Sequence, residues 1–342
     1  MVAIVVHRIT EDRTDLLEAY ATVHAETSQE VDPGGPPAPV TELATDLFTP
    51  TPLVRRFGWV ATVDGEPAGE LAVALEGAPN DHRVDVEWLA VVPGHRRRGV
   101  ASALLRAAFG ETVVRARRLA TFWVPVLPDE AGLALAERCG GAMVQAERCS
   151  RLRTAEVPWD LVDGWRSEGH GRTDGYRLVQ WVGSIAEEHV GLLTAVRRAM
   201  DDAPMDDLDR TMPSFDEDAV RELDVSASAR GLVPVVSLAV AADGDPAGYS
   251  AMFLSRHRPE IAHQGDTGVL PEHRGHGLGR WLKAENLRQA LDAEPAVVVV
   301  ETYNAESNPW MLDINVAMGF RPHVQYQAWQ AEVADVQAAV GA

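Results

Sequence analysis

Two short runs rich in glycine, arginine and histidine contain the residue types that bind an anion. They are "VVPGHRRRGVASALL" (91–105) and "VLPEHRGHGLGRWLK" (269–283). Each follows an apolar stretch and leads into apolar residues at helical spacing, which predicts a strand, a tight turn and a helix start. The first amides of a helix are unpaired and lie at the positive end of its dipole, so such a turn can hold a phosphate group.

Other phosphate-binding patterns fit these runs less well. Gly275-x-Gly277 is followed by Arg280 where the dinucleotide-binding fingerprint needs Gly or Ala. The GxxxxGK[ST] pattern of nucleoside-triphosphate loops does not occur in the chain. The short pattern Arg-x-x-Gly-x-Gly/Ala is weak alone, so the prediction depends on its context and on its second copy.

The two runs are part of an internal repeat. Six identical pairs share one constant spacing: Val91 and Val269, Pro93 and Pro271, His95 and His273, Arg96 and Arg274, Gly99 and Gly277, Leu104 and Leu282. "DGEPAG" (64–69) also matches "DGDPAG" (243–248), and Gly140 matches Gly319. Three landmarks in nearly the same register indicate two similar domains.

We expect a first domain over residues 1–155, a linker over 156–175 and a second domain over 176–335. The linker prediction depends on "WDLVDGWRSEGHGRTDGY" (159–176), which is polar, rich in glycine and without periodicity. A Pro/Gly-rich stretch, "VDPGGPPAPV" (31–40), predicts a loop between early helices. It is either a mobile loop near a substrate entrance or a plain surface loop.

The order of elements can be read from the second half. "YRLVQWV" (176–182) predicts a strand and "AEEHVGLLTAVRRAM" (186–200) predicts a helix. The apolar runs around "DGDPAG" predict a hairpin, and "AVVVVETYN" (296–304) predicts a buried strand before a helix over 308–320. The first half shows the same order of predicted elements. This order predicts an α+β fold in which each domain has a mixed, mostly antiparallel sheet flanked by helices.

Composition excludes several classes of partner. A net charge of −20 argues against nucleic acid and anionic lipid. No stretch of about 18 apolar residues occurs, so we expect no membrane span, and "MVAIVVHRIT" predicts a first strand rather than a signal peptide.

Cys139 and Cys149 form neither a disulfide framework nor a metal site, and the histidines lack ligand spacing. We therefore expect no metal and a reducing cytoplasm.

Both runs resemble the acetyl-coenzyme A motif of the GCN5-related N-acetyltransferases (GNATs). The resemblance covers nearly the whole chain twice, because the strand order, the Asp-Gly hairpin and Gly319-Phe320 also correspond. It implies tandem GNAT domains of the kind typical of actinobacteria, with the two-domain plan of mycothiol synthase, and acetyl-CoA as cofactor. In that family the loop amides hold the pyrophosphate, and the strand before the loop carries a bulge that pairs with pantetheine.

Transferred residue by residue, the resemblance assigns cofactor binding to the two loops and to the strands beside them. These residues are Val91, Arg96, Arg97, Arg98, Gly99, Val100 and Ala101 in the first half, and Val269, Arg274, Gly275, His276, Gly277, Leu278, Gly279, Arg280, Asn304 and Asn308 in the second. Asn308 matches the asparagine that begins the last helix of the family. The first half has Asp129 there, an anion beside a polyanionic cofactor.

The general acid that is usual in the family has no counterpart here. That acid is a tyrosine four residues before the glycine that ends the helix, and Asn315 and Ala136 occupy those positions. Neither side chain can protonate a departing thiolate. Tyr303 on the neighbouring strand is one candidate acid, or else a partly buried strand tyrosine. Alternatively the thiolate leaves unassisted, because thiols have pKa values of about 8.5.

An incoming amine must lose a proton before it attacks the thioester, so we expect a base on the central strands. Glu87 lies four residues before Val91, where the family often has a carboxylate. Asp266 lies next to the matching Gly265, and Glu301 interrupts an apolar strand. A charge in such a strand is costly unless it is paired or acts on a substrate. A structural ion pair and a catalytic role are both open at this point.

An acidic segment, "MDDAPMDDLD" (200–209), follows the first helix of the second half. The resemblance implies that this region lines the acceptor pocket of a GNAT domain. Asp201, Asp202 or Asp206 would then hold a cationic amine. The other reading of the same residues is a solvated acidic loop.

We therefore predict an acetyl-CoA-dependent N-acetyltransferase, monomeric or homodimeric, that transfers the acetyl group directly to a small primary amine. A backbone N–H of the bulged strand would polarise the carbonyl group. The second domain is expected to be catalytic because it keeps Asn308, the Gly-Phe pair and the glycine-rich loop. The first domain would bind coenzyme A without turnover or act as a scaffold. A non-catalytic acyl-CoA-binding or sensing protein is one alternative, because both halves lack the tyrosine. A GNAT that is active in the first domain is another.

Overall fold

The computed structural model describes residues 3–172 and 174–342 of the chain. The chain divides into two compact units. Unit 1 comprises Met1–Ala146, Asp206–Thr211 and Val324–Ala342, and unit 2 comprises Glu147–Met205 and Met212–His323. Each unit has its own sheet with helices packed on it.

The strands are β1 (Ile4–Arg8), β2 (Val54–Val63), β3 (Glu66–Glu76), β4 (Arg83–Val91), β5 (Leu119–Pro125), β6 (Ala142–Arg153), β7 (Arg177–Val182), β8 (Leu232–Val240), β9 (Pro246–Ser255), β10 (Ile261–Val269), β11 (Val299–Ala305) and β12 (Arg321–Glu332). The helices are α1 (Thr14–Val31), α2 (Val40–Phe48), α3 (Val100–Gly110), α4 (Thr112–Arg115), α5 (Ala131–Arg138), α6 (Trp159–His170), α7 (Glu187–Val196), α8 (Glu217–Ala229), α9 (Leu278–Ala293), α10 (Pro309–Ala317) and α11 (Val333–Val340).

The sheet of unit 1 has the strand order β1-β2-β3-β4-β5-β12. Neighbouring strands are antiparallel except β4 and β5, which are parallel. The hairpin between β2 and β3 turns at Asp64 and Gly65, which both have positive φ (51° and 91°). This is the Asp-Gly turn that the sequence predicts. Alternate residues of β3 face two helical layers, since Leu71 and Val73 pack with α3 and α11 while Ala72 packs with α1 and α2.

The sheet of unit 2 repeats this plan with the strand order β6-β11-β10-β9-β8-β7. Its parallel pair is β10 and β11, and the other neighbours are antiparallel. On β9, Met252 and Leu254 face the layer that contains α6 and α9. Tyr249 and Ala251 face the opposite layer, with α7. The prediction of two mixed, mostly antiparallel sheets flanked by helices is confirmed.

The two parallel strands of each unit separate soon after they meet. In unit 1, residues 83–86 pair with 119–122, and β4 and β5 then continue without pairing to each other. In unit 2, residues 261–264 pair with 299–302, and β10 and β11 then separate in the same way. An opening between two strand ends is therefore built into each sheet, directly below the loop that precedes α3 or α9.

A β-bulge lies at the start of each opening. In β4 the register with β3 shifts at Glu87, between Val86 and Trp88. In β10 the register with β9 shifts between Gln264 and Thr267. A bulge leaves an unpaired residue and bends its strand. The bend turns the ends of β4 and β10 away from their parallel neighbours, as the resemblance to the GNAT family implies.

The compact units differ from the predicted domain limits at the end of the chain. Residues 321–335 were assigned to the second domain, but β12 pairs with β5 from Tyr326 with Pro125 to Glu332 with Leu119. α11 then buries Val336 and Val340 against the core of unit 1. Conversely, residues 147–153 of β6 pair with β11 in unit 2. Each sheet takes its last strand from the other half of the chain, which no local sequence pattern indicates.

The predicted linker over residues 156–175 also differs from the structure, because it contains α6. Trp159, Val162 and Trp165 recur every three residues on one side of this helix and pack into the core of unit 2. A Cβ at Gly169 would overlap the indole ring of Trp281. The glycine that suggested a flexible linker thus permits close packing of a helix.

We expect the substitution Val336→Asp to disrupt unit 1 although it lies near the end of the chain. Val336 is fully buried (0% exposed), and an unpaired buried carboxylate costs several kcal/mol. Hydrogen exchange of the β5 amides should accelerate at least about 100-fold. Ala339→Asp, on the exposed side of the same helix, is the control and should leave exchange unchanged. Unaltered β5 protection in Val336→Asp would refute the assignment of α11 to unit 1.

Candidate active site

The loop before α3 presents backbone amides that can bind an anion. Gly99 begins the helix in the left-handed region (φ 91°), and within the described residues no side chain accepts a capping hydrogen bond there. The amides of Val100, Ala101 and Ser102 therefore have no partner inside the helix. A Cβ added to Gly99 would contact, among the described residues, only Cδ1 of Ile4, at 3.9 Å. A phosphate group could approach this loop closely, at the positive end of the helix dipole.

Cationic side chains surround this first loop. Arg97 and Arg98 are exposed, and neither has an ion-pair partner among the residues that the structure describes. Arg138 of α5 donates a hydrogen bond from Nη2 to Ser102 Oγ, at 3.0 Å. Three guanidinium groups near unpaired amides form a setting suited to a polyanion.

A cleft of about 620 Å³ extends from the loop into the opening between β4 and β5. The loop side of the cleft includes Arg97, Gly99 and Val100. The strand side includes residues 88–91 of β4 and 123–125 of β5. The far side includes Thr27, Glu30 and Val31 at the end of α1. One continuous cavity thus joins the anion-binding loop to the bulged strand.

The first arginine of each motif ties its loop to the preceding strand. Arg96 Nε donates to the carbonyl oxygen of Val91, and Arg274 Nε donates to that of Val269, both at 3.0 Å. The guanidinium of Arg96 also pairs with Glu30 and with Asp129. These two arginines, predicted as cofactor ligands, therefore have a structural role in shaping the loop.

Arg274 pairs in the same way with Asp202, one of the acidic residues predicted to hold an amine. The Nη1–Oδ2 distance is 2.7 Å and the Nη2–Oδ1 distance is 2.8 Å. Hydrogen bonds from this guanidinium lower the pKa of Asp202. The Asp202 carboxylate therefore binds the loop arginine rather than standing free to bind an amine. The corresponding roles of Asp201 and Asp206 stay predictions.

The second loop has the same backbone form, but its arginines, Arg274 and Arg280, are paired with carboxylates. Gly277 begins α9 with φ 72°. Arg280 pairs with Glu168 at 3.1 Å, and His276 Nδ1 lies 3.6 Å from a carboxylate oxygen of Asp174. Exposed pairs such as these contribute only about 0–1 kcal/mol each. These pairs nevertheless neutralise charge on the second loop, whereas the arginines of the first loop stay available to an anion.

Arg172 covers part of the second loop. Its Nη1 donates to the carbonyl oxygen of His276 at 2.7 Å. The guanidinium also lies 5.0 Å from the ring centroid of Tyr176 and 5.8 Å from that of Trp281. Among the described residues, no arginine makes the matching contact with the carbonyl oxygen of Arg98 in the first loop.

Unit 2 has a cavity of about 260 Å³ at its strand opening. Its lining consists of Met200, Gln264, Gly265, Asp266, Thr267, Lys283, Thr302, Tyr303, Asn304, Asn308 and Met311. None of the residues 274–280 of the second loop lines it. In unit 2 the loop and the strand opening are therefore separate, unlike the continuous cleft of unit 1. The expectation that the second half is the catalytic one stays a prediction, and the continuous space of unit 1 argues for the other half.

Two of the four predicted catalytic residues are held in ion pairs and line neither of the two described cavities. Arg56 binds Glu87 through two hydrogen bonds, of 2.7 and 3.0 Å. Arg151 Nε donates to Glu301 at 2.7 Å, and His263 Nδ1 lies 3.5 Å from the same carboxylate. Neither glutamate lines the cavity of its unit.

The other two predicted catalytic residues, Asp266 and Tyr303, line the small cavity of unit 2. The Tyr249 hydroxyl donates to Asp266 at 2.9 Å, and Arg197 lies 3.7 Å from that carboxylate. Burial raises the pKa of Tyr249 well above its usual range, so this phenol stays protonated. Tyr303 is more open than a partly buried strand residue, at 46% exposed.

A polar cluster beside the cleft of unit 1 was missed by sequence reasoning. Glu70 is fully buried (0% exposed). It accepts hydrogen bonds from Thr27 Oγ1 and Trp88 Nε1, both at 2.7 Å, and its other oxygen lies 3.1 Å from His24 Nδ1. Thr27 and Trp88 line the cleft. Glu70 interrupts the apolar run of β3 as Glu301 interrupts β11, so the same signal could have found it.

The asparagines of unit 2 make structural hydrogen bonds. Asn308 Oδ1 accepts from the Met311 amide at 3.2 Å and so caps α10. Asn315, at the position of the family's tyrosine, is buried (2% exposed) and donates to Asn304 Oδ1 at 2.7 Å. In unit 1, Asp129 accepts from the Ala131 amide at 3.3 Å. No proton donor replaces the tyrosine at either of these described positions.

The chain belongs to the acetyltransferase (GNAT) family, which matches it twice, over residues 22–140 and 193–310. It is therefore a tandem GNAT protein, in agreement with the prediction. Members of this family transfer acyl groups and in general use acetyl-CoA. A comparison with curated proteins finds no match.

Solved structures support the tandem arrangement. A tandem GNAT protein from the clavulanic acid biosynthesis pathway, solved without acetyl-CoA, is 27% identical with a TM-score of 0.78, over 97% of this chain and 99% of that one. A GCN5-related N-acetyltransferase from Sphaerobacter thermophilus is 16% identical with a TM-score of 0.68, over 96% of each chain. The second similarity shows the fold alone.

None of the helices described in residues 3–172 and 174–342 is long and apolar enough to cross a membrane. The same residues contain no group of three or more His, Cys, Asp or Glu side chains arranged to hold a metal ion.

We expect both cysteines to be inert to iodoacetamide in the native protein at pH 8. Burial raises the pKa of the Cys149 thiol to about 12 and also raises that of Cys139. The thiolate is the reactive form, so neither can serve as an acyl-carrying nucleophile near neutral pH. Mass spectrometry should show no adduct on the native chain and two on the denatured chain, which is the control. Rapid native alkylation of either cysteine would contradict this.

Proposed function

We propose that this protein transfers an acetyl group from acetyl-CoA directly to the amino group of a small molecule, and that unit 1 holds the cofactor. The observation that carries the proposal is the continuous cleft of about 620 Å³ between the loop amides at residues 100–102 and the bulged end of β4. When bound, the cofactor supplies the activated thioester. The similarity to a tandem GNAT protein from the clavulanic acid biosynthesis pathway supports a small-molecule acceptor.

Unit 1 suits the cofactor better than unit 2 on both charge and space. The loop of unit 1 has free guanidinium groups at Arg97 and Arg98 and amides open to the cleft. The loop of unit 2 has its cations paired, and Arg172 lies against it. Since the pyrophosphate contacts require both charge and close approach, we place the cofactor at residues 97–101 with Arg138.

The acceptor amine would reach the thioester from the side of α1. Thr27, Glu30 and Val31 line that part of the cleft, and the loop over residues 32–39 connects α1 to α2. Glu30 is a carboxylate on this side, although Arg96 neutralises it. The acceptor amine is thus expected to meet a wall with hydrogen-bonding groups rather than strong free charge.

We propose His24, which lies beside the cleft rather than among its lining residues, as the base. An ionised Glu70 can only accept hydrogen bonds, so the proton of neutral His24 lies on Nδ1 and the lone pair lies on Nε2. Glu70 is fixed by Thr27 and Trp88, which gives the imidazole a fixed orientation. The His24 ring centroid lies 5.0 Å from that of Trp88, a residue of the cleft wall. We propose that Nε2 takes the amine proton as the amine attacks.

Departure of the thiol does not require a dedicated acid in this proposal. The tyrosine position of unit 1 is Ala136, which is fully buried (0% exposed). A thiol with a pKa of about 8.5 is a good leaving group near neutral pH. A proton held by His24 after attack could then be returned to solvent rather than to sulfur.

We expect Gly99→Val to abolish coenzyme A binding and turnover, and the matched Gly277→Val to leave both nearly unchanged. Valine is strained at φ 91° and would fill the space over the loop amides. Calorimetric titration with coenzyme A should show at least about 100-fold weaker binding for Gly99→Val, equivalent to about 2.7 kcal/mol. Thiol release with a panel of amines measures turnover.

Circular dichroism and thermal unfolding of both variants serve as the folding control, because both glycines have positive φ. Equal losses in the two variants, or a larger loss in Gly277→Val, would refute the placement of the cofactor in unit 1. Tight coenzyme A binding by the unmodified chain without thiol release for any amine would instead favour a sensing protein.

We expect His24→Gln to lower kcat by about 10²–10³ at pH 7 while KM for acetyl-CoA changes less than about threefold. Steady-state rates with varied acetyl-CoA and a saturating amine measure both constants. His7→Gln, on the edge strand β1, is the control and should keep the kcat of the unmodified protein. A variant His24→Gln that retains kcat would exclude this base.

A further inference from the structure

The only lysine of the chain, Lys283, is buried in unit 2 without a counter-ion. Its side chain is 1% exposed on α9, at the position that matches Leu105 in unit 1. Among the residues that the structure describes, no carboxylate forms an ion pair with its ammonium group. The nearest aromatic ring is Phe320, whose centroid lies 5.6 Å from Nζ.

An unpaired ammonium group at this position is costly for folding. Burial lowers the pKa of Lys283 to about 7, because the charged form loses its hydration. Leu105 shows that the same fold accepts an apolar residue at the matching position of unit 1. A charge that destabilises the fold and has no ion-pair partner in residues 3–172 and 174–342 suggests a partner outside the chain.

Lys283 lines the cavity of about 260 Å³ at the opening between β10 and β11. Asn308 lines the same cavity. Its Oδ1 accepts from the Met311 amide, so its amide NH2 group is the side left to bind a ligand. Thr302 adds a hydroxyl group, and Met200 and Met311 add apolar surface. Hydrogen-bond donors thus share one cavity with apolar walls.

The acidic group of the cavity is compensated elsewhere. Asp266 accepts from the Tyr249 hydroxyl at 2.9 Å and lies 3.7 Å from Arg197. The titratable groups that line the cavity are Lys283 on α9, Asp266 on β10 and Tyr303 on β11. Of the titratable groups that line the cavity, Lys283 is therefore the one that a bound anion could neutralise.

We propose that this cavity of unit 2 binds a small carboxylate, whose oxygens pair with the Lys283 ammonium and the Asn308 amide. A volume of about 260 Å³ lies just below the range of about 300–1,000 Å³ that holds drug-sized ligands. A short-chain carboxylic acid fits this size, with its carbon chain against Met200 and Met311. The proposal does not depend on acyl transfer in unit 1, because all the residues involved belong to unit 2.

Binding should be coupled to proton uptake. A bound carboxylate stabilises the charged ammonium and raises its pKa from about 7. At pH 8, part of the unliganded protein carries neutral Lys283, so carboxylate binding takes up a proton. At pH 6 the lysine is already charged and uptake should be small.

The test is calorimetric titration of the full chain with sodium butyrate at constant ionic strength, in two buffers of different ionisation enthalpy. We expect saturable binding with proton uptake at pH 8 and little uptake at pH 6. Lys283→Leu should lose saturable binding and unfold at a higher temperature without ligand. Asn308→Asp keeps the helix cap but opposes an anion, so its affinity for butyrate should fall at least about tenfold.

Several results would overturn the proposal. One is butyrate binding that is unchanged in Lys283→Leu. Another is the absence of saturable heat with butyrate and acetate for the unmodified chain, relative to chloride at the same ionic strength. Saturable binding of inorganic phosphate in place of both carboxylates would also reject the carboxylate assignment.

Discussion

The point where two parallel strands stop pairing governs the chemistry of both halves of this protein. β4 and β5 pair only over residues 83–86 and 119–122, and β10 and β11 only over 261–264 and 299–302. The bulge that follows bends one strand away, so main-chain groups and side chains at the strand ends face an opening rather than a neighbour. In unit 1 a helix begins beside the opening, and the residues with unpaired amides at its start line the same cleft.

The two units use this opening differently. In unit 1 it continues into the loop before α3 as one cleft, with free guanidinium groups and a wall built on the buried Glu70. In unit 2 the loop cations are paired and the opening is a small cavity that contains Lys283. The duplicated fold therefore supplies one site suited to a long polyanionic cofactor and a second suited to a compact anion.

Much of the fold could be predicted from the sequence, because hairpin turns, strand patterns and the two glycine loops are local signals. The exchange of β6 and β12 could not, since strand partners far apart in the chain leave no local pattern. The loops were placed correctly, but glycine content pointed to the second half, whereas open space and unpaired charge favour the first. Glu301 and Glu70 carry the same signal in the sequence, since each is a charged residue in an otherwise apolar strand. Only the structure shows that Arg151 pairs with Glu301 and that Glu70 lies beside a cleft.

Amide hydrogen exchange of the full chain, with and without coenzyme A, tests the central claim most directly. Bound pyrophosphate would occupy the free amides at the start of α3, because those groups have no partner inside the helix. The account predicts slower exchange at residues 97–102 and at the ends of β4 and β5, and unchanged exchange at residues 275–280. Protection confined to residues 275–280, with none at 97–102, would contradict it.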